Sequence, residues 1–310
     1  MEDRPKILST KPSVGYEILD SGNGEKLERF GDFVLRRPDP QALWSKELSN
    51  EKWEAADAHF VNSGRSGSWR TKTDLPESWP IELAGLTFGI SLSAFKHTGI
   101  FPEHAENWNW IGETVERESK KRTDNKPISV LNLFGYTGGA SLAAAKAGAS
   151  VTHVDGSKVS VNRASENARL SGLGEKPIRW IIDDAMEFVK REVRRGNHYD
   201  GIIMDPPAYG HGPNKELWEI ETHLPILIAE CQKILSDQPL FVLLNGYASG
   251  YSAIAYKNNL SDLIKGKTAI GQSGRKEGEM EFGELASETK SGRQLPAGIF
   301  ARWRAGVSGV

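Results

Sequence analysis

The feature that most constrains the fold is an alternation of apolar, strand-sized runs with helical segments between residues 129 and 245. Apolar residues recur at helical spacing within the helical segments, and several of these segments end at a glycine, as helix C-termini commonly do. The alternation predicts an α/β fold with a mostly parallel sheet. The predicted strands are 129–134, 150–155, 178–182, 201–205 and 240–245, and the predicted helices between them include 138–147, 158–170 and 185–195.

The N-terminal part of the chain follows a different pattern. Short β segments separated by turns, such as Gly22-Asn23-Gly24, predict a small and mostly β accessory region before residue 92. The predicted β segments are 16–19, 27–35, 68–73 and 81–92. Apolar residues spaced for one face of a helix predict a helix between residues 40 and 59, namely Leu43, Trp44, Leu48 and Trp53.

Composition narrows the class of protein. The 310 residues include 39 Lys and Arg against 41 Asp and Glu, so the basic excess that marks many nucleic-acid-binding proteins is missing. The sequence contains neither a run of about 18 apolar residues nor the apolar core of a secretory signal, and we therefore expect a cytoplasmic protein without a membrane span. One cysteine, Cys231, excludes an internal disulfide, and the seven histidines lack metal-ligand spacing, so no metal site is expected.

The first strand of the α/β part runs into a glycine-rich turn. Residues 130–140 read Val-Leu-Asn-Leu-Phe-Gly-Tyr-Thr-Gly-Gly-Ala, and ligands of open α/β sheets bind where such a strand ends. Free N–H groups at the following helix N-terminus favour an anion, such as the carboxylate of a methionine moiety. Thr137 stands where a dinucleotide fingerprint has its second glycine, which disfavours NAD. The candidate cofactor contacts are Phe134, Gly135, Tyr136, Thr137 and Gly138.

Acidic residues follow the next two strands. Asp155, with Gly156 and Ser157, is placed to accept the hydroxyls of a ribose. Asp184, with Ala185, is placed to bond an adenine amino group, although capping of the next helix explains Asp184 equally well. Taken alone, each of these pieces is also explained as a tight turn or a helix cap. Three such elements in succession favour a nucleoside-containing cofactor.

The fourth strand ends in Asp205-Pro206-Pro207-Ala208-Tyr209. Two prolines restrict the backbone and hold the Asp205 carboxylate in place, and Tyr209 can stack on a flat acceptor. Two roles fit Asp205, because it can orient an acceptor and can also remove its proton. Asp205, Pro206, Pro207 and Tyr209 are therefore the candidate catalytic residues, with Asp205 also beside the cofactor.

Together these motifs resemble the bacterial large-subunit ribosomal RNA methyltransferase family, best known for forming 5-methylcytosine. The resemblance covers about residues 85–250 and includes Glu166-Asn167-Ala168. Upstream, Lys96-His97-Thr98-Gly99-Ile100-Phe101 is similar to that family's Lys-Thr-Gly-Phe-Phe segment, whereas Pro102-Glu103-His104 replaces its Leu-Asp-Gln-Arg continuation. The resemblance implies S-adenosyl-L-methionine as cofactor, with further contacts from Thr98, Phe101 and Asn167.

The resemblance also implies the architecture. We expect a Rossmann-like class I methyltransferase domain at 116–310, with a seven-stranded mixed sheet, helices on both faces and a terminal antiparallel strand pair. A connecting segment at 93–115 contributes to the cofactor site, and the accessory β region occupies 1–92.

One departure from the family concerns its catalytic cysteine. The segment after the fifth strand reads Leu243-Leu244-Asn245-Gly246-Tyr247 without a thiol, and Cys231 falls in the preceding helix as a core residue. Without that nucleophile, attack through a pyrimidine carbon is disfavoured. The expected activity is methylation of ribosomal RNA at a nitrogen or another nucleophilic atom. Methylation of a small molecule or a protein, and a non-catalytic cofactor- or RNA-binding protein, remain alternatives.

Overall fold

The computed structural model describes residues 4–63, 66–72, 74–93, 96–124, 126–247, 250–267 and 278–306. The helices are α1 (Asn50–Glu54), α2 (Ala105–Ser119), α3 (Gly139–Lys146), α4 (Lys158–Leu170), α5 (Ala185–Arg195), α6 (Ile220–Ile234) and α7 (Ala253–Ile264), and a 3-10 turn spans Pro102–His104. The strands are β1 (Lys6–Thr10), β2 (Tyr16–Gly22), β3 (Glu25–Phe30), β4 (Phe33–Pro38), β5 (Ala58–Ser63), β6 (Ser66–Thr71), β7 (Trp79–Leu83), β8 (Leu86–Ile90), β9 (Ser129–Leu133), β10 (Ser150–Asp155), β11 (Ile178–Ile182), β12 (Gly201–Met204), β13 (Tyr209–His211), β14 (Leu217–Glu219), β15 (Phe241–Gly246), β16 (Glu279–Glu288) and β17 (Gln294–Arg304).

The central sheet has the strand order β1-β16-β17-β15-β12-β9-β10-β11. β15, β12, β9, β10 and β11 are parallel, and β17 pairs antiparallel with both β15 and β16. The predicted Rossmann-like fold with a terminal antiparallel pair is confirmed. The sheet has eight strands rather than seven, because β1 adds in parallel to β16. Local patterning does not reveal β1, since its partner lies near the other end of the chain.

Helices cover both faces of this sheet. Neighbouring residues of one strand point to opposite faces, so Val130 packs with Trp108 and Leu142 in one core cluster while Leu131 packs with Phe188 and Leu227 in the other. The central strands β12 and β15 are buried along their whole length and are almost entirely apolar, as strands buried on both faces are. Among the described residues, no helix is both long and apolar enough to cross a membrane.

The N-terminal part forms a second sheet with the order β2-β3-β4-β5-β6, and β7 and β8 form a separate hairpin. The single strand predicted at 27–35 is two strands joined by a turn at Gly31, whose φ of 62° favours glycine. The segment predicted at 81–92 is likewise a hairpin, with its turn at Ala84 and Gly85. The mostly β character of the region is as expected.

The helix predicted between residues 40 and 59 is wrong for most of its length, because α1 covers only Asn50–Glu54. A side chain competes for the backbone donors of this segment. The buried carboxylate of Asp20 accepts hydrogen bonds from Glu47 N (3.0 Å), Leu48 N (2.9 Å) and Trp53 Nε1 (2.9 Å). The apolar spacing thus reflects docking of Trp53 onto β3 rather than a continuous helix.

The N-terminal residues and one face of the central sheet share a continuous hydrophobic core. Phe30, Trp79 and Phe88 belong to the same buried cluster as Val130 and Leu142. Polar contacts reinforce this packing, since Ser171 of α4 accepts from Thr87 N (2.9 Å) and donates to Thr87 O (3.0 Å). This packing holds the N-terminal residues against the central sheet. The domain boundaries at 92 and 115 stay a prediction.

Candidate active site

A cavity of about 770 Å³ opens where β9, β10, β11, β12 and β15 end. Its volume falls within the range of about 300–1,000 Å³ that ligand pockets occupy. One side, which we call the sheet wall, consists of Phe134, Tyr136, Asp155, Asp184 and Asp205 with their neighbours. The opposite side, the N-terminal wall, consists of Lys26, Arg37, Asp39, Lys96 and the segment 100–104. The cavity therefore lies between the two parts of the chain.

The glycine-rich turn after β9 is strained. Phe134 and Tyr136 have left-handed φ angles of 56° and 48°, a conformation that costs energy for large side chains and clusters at functional sites. Gly135 N donates to Val154 O at 3.0 Å, and a methyl group at Gly135 would lie 2.4 Å from the His153 ring. Only glycine fits at residue 135, and the turn directs Phe134 and Tyr136 into the cavity.

Asp155 holds this turn in place. Its Oδ2 accepts from Tyr136 N and its Oδ1 from Ser157 N, both at 2.8 Å. Burial raises the pKa of the Asp155 carboxyl, and these two backbone hydrogen bonds oppose part of that rise. A carboxylate has about four acceptor positions, so Asp155 keeps capacity for two more donors on the cavity side. Gly156 and Ser157 line the cavity beside it.

The sequence left two interpretations of Asp184 open, namely a cap of the next helix and a contact with an adenine amino group. Asp184 Oδ1 accepts from Glu187 N at 2.9 Å and caps α5, so the capping interpretation is confirmed. Asp184 and Ala185 also line the cavity. One carboxylate oxygen therefore serves the helix while the residue still faces the cavity, and the adenine contact stays a prediction.

Asp205 lies at the end of β12, where its backbone N donates to Leu133 O at 3.4 Å. Its carboxylate Oδ2 is 3.4 Å from His104 Nε2. Burial raises the pKa of the Asp205 carboxyl above its ordinary value, and His104 opposes part of the rise. Pro206, Pro207 and Tyr209 line the same cavity, and the Tyr209 side chain is 60% exposed at its mouth.

A hairpin that the sequence reasoning missed follows Asp205. β13 and β14 pair antiparallel, and Trp218 Nε1 donates to Pro207 O at 2.7 Å. A methyl group at Gly156 would lie 3.3 Å from Pro213 Cδ, so the hairpin turn packs over the β10 end. The run Gly212-Pro213-Asn214 is a turn signal that could have indicated this hairpin.

Five of the predicted cofactor contacts are absent from the cavity lining, namely Thr98, Gly135, Thr137, Gly138 and Asn167, and their contact with the cofactor stays a prediction. Asn167 accepts from Gly89 N and donates to Thr137 O, both at 2.9 Å. Thr137 Oγ1 donates to Gly99 O at 2.6 Å. The residues behind the turn thus connect it to the 96–104 segment, while Phe101 lines the cavity against Tyr136, with ring centroids 5.3 Å apart.

Two cations of the N-terminal wall, Lys26 and Arg37, are residues that local sequence patterns did not single out. Arg37 makes a two-pronged ion pair with the fully buried Glu28, at 2.7 and 2.9 Å, and donates to Lys96 O. Lys26 lies 3.3 Å from Asp39. Burial and the nearby Lys26 lower the pKa of the Lys96 amine. Charges on strands of one small sheet carry no local signal that they face a cavity in another part of the fold.

Tyr247, directly after β15, also lines the cavity and is 51% exposed. It lies in the segment where the family's cysteine is expected. The chain's one cysteine, Cys231, is fully buried in α6, which confirms its interpretation as a core residue, and burial raises the pKa of its thiol.

Comparison with known proteins finds methyltransferases. The family model described as S-adenosylmethionine-dependent methyltransferase matches residues 52–236. Ribosomal RNA large subunit methyltransferase K/L of Shewanella frigidimarina is 30% identical over 163 residues, which are 52% of this chain and 21% of that protein. The Shewanella baltica protein of the same name is 32% identical over 163 residues, again 52% and 21% of the two chains. The chain thus spans about a fifth of the length of these curated relatives.

Among solved structures, a SAM-dependent methyltransferase from Agrobacterium tumefaciens shares 41% identity and a TM-score of 0.87, over 97% of this chain and 93% of the other. A putative methyltransferase complexed with SAH shares 19% identity and a TM-score of 0.68, over 94% and 75% of the two chains, a likeness that shows the fold alone. The resemblance inferred from the motifs is confirmed.

Proposed function

The chain belongs to the S-adenosylmethionine-dependent methyltransferase family, and from this premise we propose that it methylates RNA in the cytoplasm, ribosomal RNA in particular, at a nitrogen or another nucleophilic atom. The observation that carries the proposal is the position of the Asp205 carboxylate in the same cavity as Asp155 and Asp184. The acceptor is taken from the names of the relatives, which are large-subunit ribosomal RNA methyltransferases.

The residues of the sheet wall fit S-adenosylmethionine by their chemistry. When bound, this cofactor supplies an electrophilic methyl group on a sulfonium. Asp155 has unused acceptor capacity for ribose hydroxyls, and Asp184 offers an acceptor for an exocyclic amine. Carboxylates at Asp155, Asp184 and Asp205 also favour a cation. Phe134 and Tyr136 provide apolar surface for the flat ring between them and the hairpin.

Asp205 acts on the acceptor: it orients the acceptor and removes its proton. It faces the cavity from a backbone fixed by Pro206 and Pro207, so a donor group of the acceptor that bonds to the carboxylate is held at a defined position. Because burial raises its pKa, Asp205 also becomes a better proton acceptor for a nitrogen that loses a proton on methylation. Orientation and proton removal are compatible in this geometry.

Two features favour an RNA acceptor over a small molecule. Tyr209 and Tyr247 are half exposed at the cavity, and exposed aromatic rings stack on unpaired bases with about 1–3 kcal/mol per base. Lys96 lines the N-terminal wall and makes no ion pair with any carboxylate of the described residues, which favours a negatively charged acceptor. A base can therefore enter the cavity while its phosphate stays at the N-terminal wall.

The absence of a second cysteine supports a nitrogen or similar acceptor atom. Cys231 is the chain's one cysteine, and it is 0% exposed within α6. Methylation of a pyrimidine carbon needs a nucleophile that adds to the ring, and a buried thiol with a raised pKa does not serve.

The test is transfer of a radiolabelled methyl group from the cofactor to ribosomal RNA isolated from cells that lack the protein. We expect label in RNA with the wild type, at least 100-fold less with Asp205→Asn, and an increased KM for RNA with Tyr209→Ala. Asp237→Asn is the matched control, because Asp237 is 94% exposed and pairs with Lys267. If the wild type binds the cofactor and no RNA receives label, the acceptor is another class of molecule.

A further inference from the structure

His104 lies beside the candidate catalytic carboxylate. It ends the 3-10 turn Pro102–His104, directly before α2, and its side chain is 13% exposed. Nε2 of its ring is 3.4 Å from Asp205 Oδ2, and both residues line the cavity. This distance is longer than an ordinary N–H···O bond, but catalytic hydrogen bonds are often long before substrate binds and tighten in the complex. The two side chains form a histidine–aspartate pair at the reacting end of the cavity.

Two contacts restrain the His104 turn and its ring. Thr10 Oγ1, on the added strand β1, donates to Pro102 O at 2.8 Å and anchors the 3-10 turn. The Phe101 ring contacts the His104 ring edge-on at 6.3 Å and also packs against Tyr136. The position of His104 is therefore linked to the edge of the central sheet and to the glycine-rich turn.

The surroundings of the ring select one tautomer. Nδ1 of His104 is buried and has no hydrogen-bond partner among the described residues. A buried N–H without an acceptor is unfavourable, and such orphaned donors are rarer in proteins than under-satisfied acceptors. The proton of a neutral His104 therefore resides on Nε2, where it points to Asp205.

We propose that His104 is the positioning residue for Asp205: it donates its Nε2–H to Oδ2 and thereby keeps this carboxylate ionised and aimed at the acceptor. The inference rests on the proposed function in one respect, since the acceptor is taken to lose a proton to Asp205. A hydrogen bond to the charged form of a carboxyl favours that form. It counteracts the burial that otherwise favours protonated Asp205.

The His104–Asp205 pair serves methyl transfer to an acceptor nitrogen that loses a proton. The nitrogen lone pair forms the new bond to the methyl carbon, and the electron pair of the broken carbon–sulfur bond returns to sulfur. The surplus proton on nitrogen passes to Asp205. The Asp205 side chain is 33% exposed, so the proton then leaves to water. His104 keeps its own proton throughout and only holds the carboxylate.

Other titratable groups lie around Asp205 and contribute to the pH profile of the activity. Tyr256 of α7 faces it from the far side, and burial together with the Asp205 charge raises the pKa of that phenol. Asp155 and Asp184 lie on neighbouring strand ends, and Tyr247 lies after β15. Variants at His104 leave these groups unchanged. A shift of the pH profile that appears only in His104 variants therefore reports on the His104–Asp205 pair.

The first experiment needs no acceptor. Full-length protein with 15N-labelled histidine is studied by NMR, and His104 is assigned by the signal that disappears in His104→Gln. We expect the Nε2–H tautomer, and we expect its signals to move in Asp205→Asn. Two results would overturn the proposal whether or not RNA is the acceptor. One is the Nδ1–H tautomer, and the other is a His104 signal with the same chemical shift in the wild type and in Asp205→Asn.

The second experiment measures the pH profile of kcat and KM. His104→Phe removes the donor, so we expect kcat near pH 7 to fall about 10-fold or more with little change in KM, and the acidic limb to move to higher pH. His104→Gln restores a side-chain donor without a titrating ring and recovers most of the rate. His198→Gln, at an exposed histidine, is the matched control. If His104→Gln and His104→Phe lower kcat equally and neither shifts the acidic limb of the pH profile, His104 acts only in folding.

Discussion

The two walls of the cavity are built from the chain in opposite ways. The sheet wall places Asp155, Asp184 and Asp205 at successive strand ends, so short-range strand–turn–helix patterns position every one of them. The N-terminal wall combines Arg37 from a separate sheet with His104 from a 3-10 turn, and only tertiary packing brings them to the cavity. The sheet wall is suited to a common cofactor, whereas the N-terminal wall is where specificity for an acceptor can be added.

The largest expected change in the free energy of unfolding concerns the buried Glu28–Arg37 ion pair that stabilises the N-terminal wall. Glu28→Gln removes the charge that neutralises Arg37 in a fully buried pair. Removing one partner leaves an uncompensated buried charge, so we expect the free energy of unfolding to fall by about 3–5 kcal/mol in urea titrations. Glu54→Gln is the control, because Glu54 pairs with Arg36 at a side chain that is 68% exposed; we expect less than about 1 kcal/mol there. Equal effects would show that the wall does not depend on its buried pair.

The same pair predicts how stability depends on pH. Burial opposes ionisation of Glu28, but Arg37 and Lys26 prevail and lower its pKa to about 2. A carboxyl whose folded-state pKa is depressed stabilises the fold above its unfolded pKa, and this contribution disappears as pH falls through the folded pKa. We expect a loss of about 3 kcal/mol between about pH 4.5 and pH 2 in the wild type. Urea unfolding at several pH values measures it, and an identical slope in Glu28→Gln would contradict the assignment.

A smaller effect tests the sheet wall. Asp155→Ala removes two carboxylate acceptors that hold the glycine-rich turn and, in our proposal, bind the ribose. Hydrogen bonds to a charged group contribute about 1.5–3 kcal/mol, so we expect calorimetric affinity for S-adenosylmethionine to fall about 10- to 100-fold. Asp237→Ala, at an exposed aspartate, should leave it unchanged. Retention of full affinity in Asp155→Ala would remove Asp155 from the cofactor site.

The smallest effect lies at the connection between the two walls. Thr10→Val removes the hydrogen bond to Pro102 O that anchors the His104 turn. We expect a loss of about 1 kcal/mol in the free energy of unfolding, accompanied by a changed NMR signal for His104. Thr71→Val, at an exposed residue of β6, serves as the control for the threonine-to-valine change. An unchanged His104 signal would mean that β1 does not position the turn.

Two arrangements were not anticipated from the sequence, for identifiable physical reasons. The spacing of apolar residues between Leu43 and Trp53 is helical, but Asp20 takes the backbone donors that a helix would use. Asn167 and Thr137 are predicted as cofactor contacts, and in the structure each side chain also donates to a backbone carbonyl behind the turn. In both cases a polar partner that is distant in the chain decided between two locally equivalent structures.

The sequence by itself determined the α/β core and its cofactor end. Strands buried on both faces, helices ended by glycine and aspartates at three successive strand ends are local features, because neighbouring residues carry both the conformation and the position of the functional group. The tertiary structure alone decided the eighth strand, the N-terminal wall and the approach of His104 to Asp205. These depend on contacts between distant segments, and their energies come from packing and buried charge pairs that no local pattern contains.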